Sequence, residues 1–152
     1  MACSDLHWSE KPPAARSVEK NWFNVMKRQW NQVLAQSNKH QAPIVVAGDV
    51  FHKAISSPVL VNWTIRQLKR ASYKVYAICG QHDLKYHSLE DIRHTSYWTL
   101  VESGALVNLE PGRPEAVGTF RLHGFPFGVD PVPLENRHSL VVEVAVVHRY
   151  VW

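Results

Sequence analysis

The feature that most constrains the fold of this chain is a short apolar segment that ends in polar, metal-binding residue types, and it occurs four times. The clearest copy is residues 74–83, Lys-Val-Tyr-Ala-Ile-Cys-Gly-Gln-His-Asp, in which the apolar run predicts a buried strand that breaks at Gly80. The other copies are residues 3–7 (Cys-Ser-Asp-Leu-His), 44–49 (Ile-Val-Val-Ala-Gly-Asp) and 144–148 (Val-Ala-Val-Val-His). Open α/β sheets place their sites at the carboxyl ends of strands, so these four ends predict one convergent metal site.

Helical patterns lie between the first strands. Three helices are predicted, over residues 18–36, 57–70 and 88–102. Ser57 followed by Pro58 is typical of a helix start, and Ser88 with Asp91 resembles a capping box. Further strands are predicted at residues 106–109, 119–123 and 140–148. This order indicates an α/β layered fold, with mixed β-sheets flanked by helices, in a single domain over residues 1–152.

Composition narrows the class of protein. At 152 residues, 45% hydrophobic and 20% charged, the chain is long and apolar enough to bury a core. A formal charge of +4 favours an anionic partner such as nucleic acid. Cys3 and Cys79 both lie in predicted strands, which indicates a reducing compartment and a cytoplasmic location. No apolar run is long enough to span a bilayer, and no membrane partner is expected.

The polar residues at the strand ends suit a divalent cation. Asp5 and His7 can both turn toward one ion after the first strand, and Asp49 reaches it from a neighbouring strand. Position 81 adds an amide and His148 an imidazole. Carboxylate, imidazole and amide together favour manganese, iron or zinc over calcium. Two such ions roughly 3.5–4 Å apart can clamp a phosphate and activate a shared water. Taken singly, each signal has a plainer interpretation: Gly-Asp after a strand also caps helices or binds nucleotides.

The order of the motifs resembles that of the calcineurin-like metallophosphoesterases. That family carries Asp-x-His, Gly-Asp, Gly-Asn-His-Asp/Glu, a single His after a strand, and finally Gly-His-x-His. The matching residues here are Asp5 and His7, then Gly48 and Asp49, then Gly80, His82 and Asp83, and finally His148. The segment of residues 48–51, Gly-Asp-Val-Phe, also resembles the branch that contains the DNA double-strand-break repair nucleases and their phage relatives.

The resemblance implies a role for each matched residue. Asp5 and His7 would ligate the first metal, Asp49 would bridge two metals, and His148 and Gln81 would ligate the second. Manganese is the favoured ion, with iron or zinc as alternatives.

The remaining motif residues are implied to act on the substrate. His82 would stabilise charge on the phosphoryl oxygens or protonate the leaving group, and Asp83 would orient the His82 ring. His52 would lie near the substrate, because the loop after the second motif often carries a polar residue there.

Two departures separate the chain from the family pattern. Position 81 is Gln where the family has Asn, and no Gly-His-x-His motif follows His148. Three explanations are open: a chain that is a fragment of a longer protein, a second polypeptide that supplies the missing ligands, or a degenerate domain that binds metal weakly or as a single ion. The stop at Trp152, just past the last strand, favours the first two.

The sequence therefore predicts a metal-dependent phosphoester hydrolase. A phosphodiester in DNA is the favoured substrate, attacked by a hydroxide that two metal ions activate. One alternative is a phosphomonoesterase that acts on a small molecule or phosphoprotein. The other is a catalytically silent module that binds metal or a partner.

Overall fold

The structure is a computed structural model that describes residues 1–134 and 140–149. Its strands are β1 (Ala2–Cys3), β2 (Ile44–Ala47), β3 (Val75–Ile78), β4 (Val107–Asn108), β5 (Glu115–Val117), β6 (Phe120–Phe125) and β7 (Val142–Val147). Its α-helices are α1 (Trp22–Lys39), α2 (Pro58–Leu68) and α3 (Ser96–Glu102). The parts of the predicted domain at residues 135–139 and 150–152 lie outside the described residues.

The strands form two sheets, so the fold is a mixed α/β structure of the expected class. The first sheet has the order β1-β2-β3-β4 and all of its pairs are parallel. The second has the order β5-β6-β7, with β5 antiparallel and β7 parallel to β6. Because β1, β2 and β3 are parallel, the loops that follow them leave from the same edge of the sheet.

Two apolar cores lie on the two faces of the first sheet. Strand β3 is buried along its whole length, and its side chains alternate between the cores as the period of a strand requires. Val75 and Ala77 pack in the larger core, together with Trp30 of α1 and other helical residues. Tyr76 and Ile78 pack in the smaller core with residues of the second sheet, namely Leu122 and Val146. The second sheet is therefore held against the first by side chains of β3, β6 and β7.

Helix α1 begins later than its apolar spacing predicts. Val18 is 86% exposed and lies outside the helix, which starts at Trp22. The start is set by Asn21, whose side-chain oxygen accepts the N–H of Asn24 at 3.2 Å. For α2 the prediction is confirmed at the start, because Ser57 caps the helix and Pro58 is its first residue.

The third helix is shorter than predicted. It covers Ser96–Glu102 and is capped by Thr95, while the preceding residues form 3₁₀ turns. The Thr95 hydroxyl accepts the N–H of Trp98 at 3.3 Å, and this cap sets the start of the helix at Ser96. The Ser88 hydroxyl accepts the N–H of Glu90 at 3.2 Å, so the expected capping box with Asp91 is not formed.

Strand β5, which carries the charged residue Glu115, was not predicted. None of the helices in the described residues is long and apolar enough to cross a membrane.

Candidate metal centre

The predicted ligands are brought together at one edge of the first sheet. Asp5 and His7 follow β1, Asp49 follows β2 and Gln81 follows β3. His148 follows β7 and reaches the same place from the second sheet. Its backbone N–H donates to the carbonyl of Phe125 at 3.1 Å, which extends the β6–β7 pairing up to the site.

The backbone at the first three ligands adopts a conformation that side chains disfavour. Asp5, His7 and Asp49 have φ angles of 55°, 43° and 52°, and the preceding Gly48 has 90°. Each residue in such a backbone conformation costs about 1–3 kcal/mol of folding free energy, and the conformation persists only where the surrounding structure holds it in place. Here the N–H groups of Asp5 and His7 donate to the carbonyls of Gly48 and Asp49 at 3.1 and 3.0 Å. The strain is thus concentrated in the two interlocked loops that present the ligands.

Asp49 lies at the centre of the cluster and is fully buried. Its Oδ1 accepts the backbone N–H of His82 at 2.9 Å. Its Oδ2 lies 3.6 Å from Nε2 of His7 and 3.5 Å from Nε2 of His148, and it has no hydrogen-bond partner among the described residues. Asp5 Oδ1 lies 3.7 Å from the same His7 nitrogen. A buried carboxylate oxygen without a partner is costly unless a cation neutralises it.

The ring of His148 is fixed by two oxygen atoms. Its Nδ1–H donates to the carbonyl of Ala47 at 2.7 Å, which directs Nε2 toward Asp49 and Gln81. Nε2 lies 2.6 Å from Oε1 of Gln81. At that distance the His148 ring and the Gln81 amide are directly hydrogen-bonded, which fixes the ring from its second side.

The pKa values of Asp49 and His148 shift in opposite directions. Burial opposes ionisation of Asp49, yet interaction with His148 and the N–H of His82 lowers the pKa of this carboxyl below its ordinary value. Interaction with the Asp49 carboxylate raises the pKa of His148, although burial works against it. Each of the two groups therefore favours the charged form of the other.

The donor set fits a divalent cation. Ligand atoms of Asp5, His7 and Asp49 all lie within 4.8 Å of one another. His148 Nε2 lies 3.5 Å from Asp49 Oδ2 and 2.6 Å from Gln81 Oε1. Oxygen and imidazole ligands in this mixture suit manganese, iron or zinc. Both neighbouring glycines are needed for the arrangement: a Cβ at position 48 would overlap the His148 ring, and one at position 80 would overlap the Asp49 carboxylate.

The other two predicted histidines lie beside the cluster. The His82 ring is 4.8 Å from that of His7 and is stacked 5.3 Å from that of His52. Its Nδ1 lies 3.1 Å from the carbonyl oxygen of His52, so His52 contacts His82 through the backbone as well as the ring. The His52 side chain is largely exposed. Its partial burial, together with the nearby rings of His82 and His7, lowers the pKa of His52.

Asp83 does not orient the His82 ring as the resemblance implied. Its carboxylate is fully buried: Oδ1 accepts the N–H of Phe51 at 2.8 Å, and Oδ2 accepts those of Val50 and Gly80 at 3.1 and 3.0 Å. Burial raises the pKa of Asp83 to about 7 even though these donors act in the other direction. The side chain turns inward because only it can satisfy three buried N–H groups, so it holds the loops after β2 and β3 together.

Sequence reasoning missed the two backbone carbonyls that orient the histidine rings. These belong to Ala47 for His148 and to His52 for His82. Every residue has a carbonyl, so no sequence signal could have identified them.

Comparisons with known proteins agree with the geometry. A family model described as calcineurin-like phosphoesterase matches residues 1–145. A comparison with curated proteins found no match. Among solved structures, the chain is similar to the nuclease MPE of Pseudomonas putida, with a TM-score of 0.51 and 18% identity over 95% of this chain and 58% of that one. At that identity the likeness shows the fold alone, and this chain spans less than two thirds of the nuclease. The family match covers nearly the whole sequence, and by it the chain belongs to the calcineurin-like phosphoesterase family.

Proposed function

We propose that this protein is a metal-dependent phosphoester hydrolase that acts on phosphodiesters of nucleic acid. The observation that carries the proposal is the position of Asp49, whose buried and unpartnered Oδ2 lies between His7 and His148. Family membership supports hydrolysis of phosphate esters. The structural neighbour is a nuclease, and the formal charge of +4 suits an anionic polymer.

Five side chains would hold two divalent ions, with manganese favoured. Asp5 and His7 would bind the first, His148 and Gln81 the second, and Asp49 both. When bound, the ions supply a Lewis acid for the phosphoryl oxygens and lower the pKa of water. Gln81 is one methylene longer than the Asn of the family pattern, but its Oε1 still reaches within 2.6 Å of the His148 nitrogen.

His82 would act on the leaving group. Its Nδ1 faces the His52 carbonyl and therefore carries a hydrogen, which leaves Nε2 free to hold the transferable proton. A protonated His82 can give that proton to the leaving oxygen as the ester bond breaks, acting as a general acid. Asp83 keeps the His82 loop in place through backbone hydrogen bonds, and the exposed His52 ring contacts the substrate beside it.

The test is hydrolysis of a small phosphodiester, bis(p-nitrophenyl) phosphate, by the purified chain with manganese. We expect turnover that Asp49→Ala reduces by about 100-fold or more, since even weaker perturbations around a metal cost 10–100-fold. Asp91→Ala is the matched control, because Asp91 is an exposed carboxylate outside the site, and it is expected to leave turnover unchanged.

Two results would contradict the proposal. Hydrolysis of p-nitrophenyl phosphate without hydrolysis of the diester would indicate a phosphomonoesterase. A folded chain that hydrolyses neither compound with manganese, iron or zinc would be a silent module.

A further inference from the structure

A groove of about 790 Å³ leads away from the candidate metal centre. At one end it is lined by Asp5, His7 and His52. Beyond them, two segments form its sides: residues 9–16 and residues 52–60. The later motif residues, namely Gln81, His82, Asp83 and His148, do not line this groove. The groove therefore extends the candidate site beyond the residues that the motifs identify.

The two segments are tied together without any ligand. The Ser57 hydroxyl donates to the Glu10 carboxylate, which joins one segment to the other. Within the first segment, Ser9 Oγ accepts Nε1–H of Trp22 at 3.1 Å and donates to the carbonyl of Lys11 at 2.8 Å. The groove is therefore pre-formed, and a ligand would not have to order its loops.

Each segment carries an exposed lysine that has no partner. The ammonium groups of Lys11 and Lys53 form no ion pair or hydrogen bond in the part of the chain that the structure describes. The third cation in the groove, Arg16, is already 3.0 Å from Glu19 and stacks 5.2 Å from the Trp22 ring centroid. Glu10 is the acidic residue of the groove outside the metal centre. Outside the metal centre, the groove therefore carries unpaired positive charge on Lys11 and Lys53.

We propose that this groove binds a single strand of nucleic acid next to the scissile phosphate, with Lys11 and Lys53 contacting neighbouring phosphates. The assignment rests on the proposed function, because it takes the metal centre as the place of cleavage. The groove of about 790 Å³ has room for more than one phosphoryl group, and Lys11 and Lys53 supply the positive charge that further phosphates of a polymer would need.

The two unpartnered lysines stand on the two segments that form the sides of the groove, Lys11 on one and Lys53 on the other, so neighbouring phosphates of one backbone can contact both. A single strand can lie along the groove with phosphates on the lysines.

The test is binding of fluorescent DNA, measured by anisotropy in metal-free buffer so that nothing is cleaved. For a single-stranded 12-mer, we expect the double variant Lys11→Gln, Lys53→Gln to bind about tenfold more weakly at 0.1 M salt. The slope of log K against log salt is expected to fall by about 1.4, which is 0.7 for each of two lost phosphate contacts. Glu10→Gln, which removes a negative charge from the same groove, is expected to bind more tightly.

The matched control is Lys27→Gln, Lys39→Gln, two exposed lysines of α1 that do not line the groove. We expect the wild-type affinity for this variant. Equal losses in both double variants, no loss in the groove variant, or tighter binding of a 12-base-pair duplex than of the single strand would overturn the assignment.

Failure of this assignment is distinguishable from failure of the proposed function. The small diester has no neighbouring phosphates, so its hydrolysis tests only the metal centre. Binding without metal tests only the groove.

Discussion

The two oxygen atoms of Asp49 have different surroundings. Oδ1 is held by the N–H of His82, whereas Oδ2 faces the nitrogens of His7 and His148 without a hydrogen bond. Interaction with this carboxylate raises the pKa of His148, and a protonated His148 ring would place positive charge next to this oxygen. A cation at the same place would compete directly with that proton.

Metal affinity is therefore expected to depend on pH. Because Asp49 raises the pKa of His148, the protonated form dominates below that pKa and a metal must displace the proton. The association constant for manganese should rise by about tenfold per pH unit below the pKa and level off above it. Calorimetry in two buffers with different ionisation enthalpies measures the number of protons released. In His148→Gln, which lacks this imidazole, fewer protons should be released. Affinity independent of pH in the wild type would contradict the mechanism.

At the scale of the secondary-structure elements, the loops after β2 and β3 are joined by one side chain. The Asp83 carboxylate accepts N–H groups of Val50 and Phe51 from the first loop and of Gly80 from the second. Three N–H groups need three acceptor positions, and the two oxygens of a carboxylate provide them. This link keeps Asp49, in the first loop, next to His82, in the second.

Asp83→Asn is expected to destabilise the protein. An amide has one acceptor oxygen, so at least one of the three buried N–H groups would face an NH₂ group, and an unsatisfied buried donor costs about 1–3 kcal/mol. Urea unfolding followed by tryptophan fluorescence at about pH 8, above the pKa of about 7, measures the loss in the free energy of unfolding. The exposed Asp91→Asn is the control and should not change it. A variant as stable as the wild type would show that the carboxylate is not needed to join the loops.

At the scale of the whole molecule, the candidate metal centre joins the two sheets. Four of the predicted ligands follow strands of the first sheet, and His148 follows β7 of the second. The two sheets also pack against each other in the smaller apolar core, which contains Ile78 and Val146. A bound metal would therefore link the two sheets through its ligands.

Manganese is expected to raise the thermal stability of the protein. A ligand that binds only the folded state at 100 times its Kd adds about 2.7 kcal/mol to the free energy of unfolding. His148→Ala should lose part of this increment, because the second sheet would no longer contact the metal. His94→Ala, at an exposed histidine outside the site, should keep all of it. Equal increments in the two variants, measured by differential scanning fluorimetry with and without EDTA, would argue against a metal held by both sheets.

The sequence predicted the features that depend on local chemistry. Apolar runs identified β2 and β3, and Ser57 with Pro58 identified the start of α2. The predicted ligands that follow β1, β2 and β3 lie together because the carboxyl ends of parallel strands meet at one edge of a sheet, whereas His148 reaches them from the second sheet. Predictions of helix starts that depended on local spacing alone were wrong where a cap further along the chain prevailed, as at Asn21 and at Thr95.

What the sequence determined by itself is therefore which residue types stand at the ends of which strands, and hence the candidate ligands and the fold class. Only the tertiary structure decided how those side chains are used. The left-handed backbone at Asp5, His7 and Asp49 exists because the two loops hydrogen-bond to each other. Asp83 binds N–H groups rather than the His82 ring because burial leaves those donors no other partner. Both outcomes depend on contacts between segments distant in sequence, which local pattern does not encode.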